Sequence, residues 1–126
     1  MLQTLYARAL ESQNAKHYIY DEKAIEIVSQ LDYNFSKAES DKLMSSGVIA
    51  RTIVLDKLVE DFFNQNPNAV VLNLACGMDT RCYRMEGKYV RWYNVYLPET
   101  MHVRKLFLEE NGPIYQIKSL CRFIKY

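Results

Sequence analysis

The sequence predicts an α/β protein, with a helical N-terminal region leading into three parallel strands. Up to about Asn64 the apolar residues recur at helical spacing. Beyond the stop Asn66-Pro67-Asn68, short runs rich in branched and aromatic residues alternate with helical pieces. Strand, helix, strand, helix, strand in that order implies right-handed crossovers and parallel pairing, hence a doubly wound sheet. With 49% apolar residues, ten Tyr and five Phe, the chain carries enough hydrophobic surface to pack a core rather than remain disordered.

Each element has its own signal. Leu2, Leu5, Tyr6, Ala9 and Leu10 lie on one face of a helix reaching about Ser12. Asp21 can cap a second helix whose inner face is Ala24, Ile27, Val28 and Leu31. The stretch from Asp32 to Gly47 is mixed and polar, with a short helix after Ser36. From Val48 to about Asn64 the pattern Val48, Thr52, Leu55, Val59, Phe62, flanked by Ile49, Leu58 and Phe63, is the strongest helix in the chain. Ala69 to Leu74 reads as a strand buried on both faces. A helical piece from about Thr80 to Met85 and Gly87 lead to a second strand, Val90 to Tyr96. Pro98 suits the first position of a helix running to Asn111, which Gly112-Pro113 ends. Ile114 to Ser119 is the third strand.

The totals exclude some functions. At 126 residues the chain is one domain or part of one. A formal charge of +1 offers no clustered basic surface for nucleic acid or an anionic membrane. Cys76, Cys82 and Cys121 lack the paired spacing of zinc ribbons or redox dithiols, which points to free thiols in a reducing, cytoplasmic compartment. The N-terminus carries Arg8 and Glu11 within its apolar pattern, unlike a signal peptide, and no window approaches a membrane span. His17 and His102 have no complete set of ligands at metal spacing, so no metal is expected. Tyr18, Tyr20, Tyr33, Tyr89, Tyr93, Tyr96 and Tyr115 lack interleaved basic residues and read as packing rather than base stacking. Cys76 likewise reads as packing beside a turn, not as a nucleophile.

That turn is the most informative stretch. In doubly wound sheets ligands bind outside the carboxyl ends of the strands, and a glycine after the first strand lets a ligand approach the backbone. Gly77 stands at that place. It fits an ordinary tight turn or a ligand turn. An acid that grips a ribose lies about 20 positions on in nucleotide-binding sheets. Here that position falls between Asn94 and Tyr96.

The stretch VVLNLACGMDTRCYRM, followed by VRWYNVYLPETMHVRKLFL, resembles the leucine carboxyl methyltransferase family, which includes bacterial polyketide-type O-methyltransferases. The family reads N-L-G-x-G-x-D-T-R-x-x-R and then W-x-D-x-D-L-P-E with a later Arg. The chain matches at Asn73, Leu74, Gly77, Asp79, Thr80, Arg81, Tyr83, Arg84, Trp92, Leu97, Pro98, Glu99 and Arg104. Upstream, LYARALES, DYNF and ARTIVLDKLVEDF look like the helical cap that precedes the sheet in the same family. The resemblance implies a cap over residues 1–66 and a Rossmann-like half-domain over residues 67–126. It also implies S-adenosylmethionine (SAM) as methyl donor, with a carboxylate or hydroxyl of a small molecule or peptide as acceptor. By resemblance Arg51 would hold the carboxylate of the donor, and Gly77 would let the donor lie close to the chain. Asp79 and Arg81 would be ligand contacts or structural partners, Asp79 equally serving as a helix cap. Arg84 and Arg104 read as solvated helix charges, and Arg8 is aligned loosely with basic residues that face the donor in some relatives.

The chain departs from the family in three ways. Ala75 replaces the first glycine of the turn, which is tolerable at negative φ and costly otherwise. Asn94 and Tyr96 replace two aspartates, of which the second accepts hydrogen bonds from the ribose. Losing that charge-assisted bond weakens donor binding by about 1.5–3 kcal/mol. Family members are also much longer, with a larger sheet and a substrate lid, whereas this chain stops after the third strand; Arg122 stands where they carry an acid, and Cys121 to Tyr126 read as a tail past a break in the gene. A truncated methyltransferase is the leading expectation, and an inactive remnant serving as an interaction module is the alternative. Without the strands that flank it in the family, Val70, Val71 and Leu72 would lie on an open apolar edge, which predicts self-association.

Overall fold

The computed structural model describes residues 1–119. The elements run α1 (Leu2–Ser12), α2 (Glu22–Gln30), α3 (Ser36–Ser40), α4 (Lys42–Gln65), β1 (Val70–Leu74), α5 (Arg81–Arg84), β2 (Arg91–Tyr96), α6 (Pro98–Phe107) and β3 (Ile114–Lys118). This is the mixed α/β order expected, with a parallel sheet in the order β1-β2-β3. Cys121 to Tyr126, read from the sequence as a tail with Arg122 at the position of a family acid, lie outside the described residues.

The chain forms two compact units, which divide inside α4 between Phe62 and Phe63. In the first unit, a buried network ties α1 to α2. Arg8 Nε donates to Asp21 Oδ2 at 2.8 Å, and Asp21 Oδ1 accepts from Ala24 N at 3.1 Å, capping α2 as expected. Ser12 Oγ donates to the Arg8 carbonyl and accepts from Asp21 N. Arg8 is therefore an internal tie of the cap, held by a carboxylate, rather than a residue presented to a ligand. Tyr6 stacks on Phe35, with ring centroids 4.4 Å apart, which gives the DYNF stretch an anchoring role.

The strongest helix starts six residues earlier than the apolar pattern suggested, at Lys42 instead of Val48. Asp41 Oδ1 accepts from Met44 N and caps it. The added turns are largely exposed, and Ser45, Ser46 and Gly47 interrupt the apolar run that Met44 would extend. Helix α6 ends sooner than expected, at Phe107, because Leu108 adopts an extended conformation and is buried.

In the second unit, β1 pairs Asn73 with Asn94 of β2, and β2 pairs Asn94 with Gln116 of β3. Alternation puts Trp92, Asn94, Ile114 and Gln116 on one face, all buried. Trp92 fills its centre, 5.1 Å from the Tyr89 ring and 6.3 Å from the Phe63 ring. Phe63 thus belongs with the sheet although it sits on α4. The other face carries Val70, Leu72 and Leu74 of β1, which are 60%, 60% and 54% exposed, together with Tyr115 and Ile117 of β3. Tyr93 and Tyr115 stack across it at 5.0 Å. This corrects the expectation that β1 is buried on both faces. The strand is branched and apolar enough for such burial, but among the described residues no strand pairs with its outer edge and one of its faces stays open.

Candidate functional site

The β1–α5 turn is built by two residues with left-handed backbone. Gly77 has φ +51°, a conformation that only glycine adopts without strain. Ala75 has φ +55°, the costly outcome of replacing the first glycine. A left-handed non-glycine residue is disfavoured by about 1–2 kcal/mol, partly offset by the lower chain entropy of alanine. Ala75→Gly is accordingly expected to raise the melting temperature by roughly 2–5 °C, read by circular dichroism. Cys76 N donates to the Val95 carbonyl at 3.4 Å and Asp79 N to the Cys76 carbonyl at 2.9 Å, so the turn is anchored to β2 and closed on itself.

Arg104 underlies this turn. Expected to be a solvated helix charge, it is instead fully buried at 0% exposure. Its Nη1 donates to the carbonyls of Gly77 and Asp79, each at 2.8 Å, and its Nε donates to Gln116 Oε1 at 3.0 Å. The correction has a physical cause: Arg104 lies on the side of α6 turned towards β3, beneath loop carbonyls that have no strand or helix partner. Arg84 is also not fully solvated. It is half-buried and donates through Nη1 to Thr80 Oγ1 at 2.9 Å.

Asp79 and Arg81 pair with each other. Asp79 Oδ2 lies 3.0 Å from Arg81 Nη1, and Asp79 Oδ1 accepts from Arg81 N at 3.2 Å, at the start of α5. Asn73 Nδ2 bridges to Asp79 Oδ2 at 3.0 Å and to Asn94 Oδ1 at 3.1 Å. Asn94 is wholly buried; its oxygen also accepts from Trp92 Nε1 at 3.0 Å, and its amide donates to Cys82 Sγ. Both acceptor positions of the Asn94 oxygen are therefore used inside the protein. Tyr96, at the end of β2, is only half-buried. Among the sequence-derived site residues, Ala75, Gly77, Asp79, Arg81, Asn94 and Tyr96 all fall at the carboxyl ends of β1 and β2 in the second unit. Arg51 is exposed on α4 in the first unit. Arg104 and Gln116 were missed as site residues. The later Arg of the family pattern was the available signal for Arg104, while Gln116 has none in the sequence.

Burial disfavours the thiolate form of both thiols near the turn. Burial pushes the Cys82 thiol up from about 9 to about 11, against smaller opposing effects of the Asn94 amide and the Arg104 charge. Burial also raises that of Cys76. Both cysteines are free and buried. Among the described residues no group of three or more His, Cys, Asp or Glu is placed to hold a metal ion, and no helix is long and apolar enough to cross a membrane. A pocket of about 380 Å³, lined by Leu10, Tyr18, Ile49 and Ile53 with Glu11, Asn14 and Ser45 among others, lies within the first unit and contains none of these site residues.

Comparison with known proteins places this turn in a family. The model of the family described as "Leucine carboxyl methyltransferase" matches residues 1–120. The chain is 35% identical over 114 residues to the tetracenomycin polyketide synthesis O-methyltransferase TcmP of Streptomyces glaucescens, covering 89% of this chain and 42% of that protein. It is 31% identical over 123 residues to an S-adenosyl-L-methionine-dependent methyltransferase, dpfgK, of Gibberella zeae, covering 90% and 41%. It is 29% identical over 87 residues to leucine carboxyl methyltransferase 1 of Debaryomyces hansenii, covering 67% and 22%. The chain thus spans about two fifths of the length of the first two relatives. With nearly its whole length matched by the family model, and with the matched turn formed at the carboxyl end of a parallel strand, the chain belongs to the leucine carboxyl methyltransferase family.

Proposed function

We propose that this chain supplies the donor-binding part of a SAM-dependent O-methyltransferase whose acceptor is a carboxylate or hydroxyl of a small molecule or peptide. The observation that carries the reading is the left-handed turn Ala75–Gly77 at the carboxyl end of β1, where sheets of this order receive their ligands. Gly77 has no side chain to obstruct the methionine part of the donor, and the half-buried Asp79–Arg81 pair stands beside it. The ribose end falls to Tyr96, because Asn94 lends its oxygen to Asn73 and Trp92. When bound, SAM supplies an electrophilic methyl group on a sulfonium; the chain contributes position, and a base is needed only where the acceptor is not already ionised.

Isothermal titration tests the reading. The 126-residue chain is expected to bind SAM in the micromolar range. Tyr96→Asp, which restores a carboxylate at the ribose position, should tighten binding by roughly tenfold, as gaining one charge-assisted hydrogen bond requires. Absence of heat at millimolar SAM in both proteins would defeat the proposal. Methyl transfer to small carboxylic acids by this chain alone is expected to be undetectable.

One observation favours a second reading, an inactive remnant acting as an interaction module. The exposed row Val70, Leu72 and Leu74 lies on an edge strand whose outer side has no partner strand among the described residues, a template for strand addition and apolar contact. On either reading the isolated chain is proposed to self-associate. Size exclusion with light scattering at micromolar concentration should give a dimer or larger species, and a sharp monomer peak would refute this.

A further inference from the structure

We infer that Arg104 is a positioning residue for the proposed donor site: its buried guanidinium holds the β1–α5 turn in the left-handed shape that receives the ligand. The inference rests on the donor-binding reading for its purpose, but its physical basis is independent. Among the described residues the three acceptors of Arg104 are neutral oxygens, two of them carbonyls of the turn 27 and 25 residues away in sequence. Its Nη2 and the neighbouring Gln116 Nε2 are buried without a partner among the described residues. A cation buried in this way, with no carboxylate among its acceptors and spare donors, is poorly compensated as a stabilising device. Its geometry is specific, however. One nitrogen, Nη1, reaches two carbonyls that flank Met78, so the guanidinium spans the turn as a clamp. Hydrogen bonds from a charged donor are about twice as strong as neutral ones. Within the turn Asp79 N closes on the Cys76 carbonyl at 2.9 Å, Cys76 N reaches β2 at 3.4 Å, and the Asp79 carboxylate is tied to Asn73 and Arg81; none of these bonds falls on Ala75 itself to oppose its preference for negative φ. Released from Arg104, the turn relaxes and Ala75 leaves the left-handed region.

A double-mutant cycle tests this. Arg104→Lys keeps the charge but loses the planar group whose Nε is anchored on Gln116 Oε1 while its Nη1 holds both turn carbonyls. In the wild-type chain Ala75→Gly raises the melting temperature because it relieves imposed strain. In the Arg104→Lys background that gain should fall close to zero, since the turn has already relaxed. Arg104→Lys should also weaken SAM binding about ten- to a hundredfold, and adding Ala75→Gly should recover at least tenfold of a hundredfold loss, or most of a smaller one. A role confined to packing predicts the same Ala75→Gly gain in both backgrounds and no recovery of binding, which would overturn the inference. Should Arg104→Lys fail to fold, Gln116→Met, which frees only the Nε end of the clamp, serves in its place. It should reduce the Ala75→Gly gain by about half on the same reasoning, and an unchanged gain would overturn the inference. If wild type and Tyr96→Asp both bind no SAM, the donor reading falls, while the thermal cycle still decides whether Arg104 holds the turn.

Discussion

Replacing Asp21 with alanine is expected to destabilise the first unit by about 3–5 kcal/mol, a large part of the stability of a small domain. One carboxylate does two jobs there. It neutralises Arg8 at 2.8 Å and caps α2 through Ala24 N, while the bond from Asp21 N to Ser12 Oγ is a backbone bond that the substitution leaves in place. Removing it leaves a buried guanidinium without its charge partner, which is the expensive way to break an ion pair. Asp21→Asn separates the contributions, because asparagine caps helices nearly as well while carrying no charge. Asn should therefore recover only the capping share, about 1 kcal/mol. Urea unfolding followed by circular dichroism at the helix band measures both. A loss below about 1 kcal/mol for Asp21→Ala would show that Arg8 finds other partners or water.

Trp92→Ala should cost the second unit about 3–5 kcal/mol. Trp92 is the single tryptophan, is buried, and lies edge-on to Tyr89 and near Phe63. The substitution opens a large cavity under the sheet and removes one of the two donors to Asn94 Oδ1. Trp92→Phe keeps most of the ring contact and loses only the indole donor. It should cost about 1 kcal/mol, the low end for a lost hydrogen bond, because Asn73 still satisfies the Asn94 oxygen. Intrinsic fluorescence reports the wild-type transition from this one residue, and circular dichroism reports the variants. A loss of less than about 2 kcal/mol in Trp92→Ala would mean that the site collapses around the void.

Much of the fold was legible because it depends on short-range rules. Asp21 as a cap, Pro98 at the start of α6, and the stop at Asn66-Pro67-Asn68 are local chemistry, and all three fall at element ends as read. The start of α4 was not legible, since Ser45, Ser46 and the poor helix former Gly47 break the apolar run before Val48. The candidate turn could be found from Gly77 and the family pattern. The sign of φ at Ala75 could not, because alanine alone gives no reason to expect the left-handed region.

The two arginines show the limit most clearly. On sequence spacing, Arg8 and Arg104 look like ordinary helix charges facing water or a ligand. Both are buried, one against Asp21 and the other against the carbonyls of Gly77 and Asp79.

By itself the sequence determined the order of elements, the parallel alternation after Pro67, and the place of the turn, because periodicity, caps and glycine act over a few residues. Tertiary structure alone decided which face of β1 stays open, that Asn94 turns inward, and that Arg104 clamps the turn. Each of these depends on which groups from distant segments arrive within hydrogen-bond or van der Waals reach, and burial makes an unmet polar group costly only after that arrival.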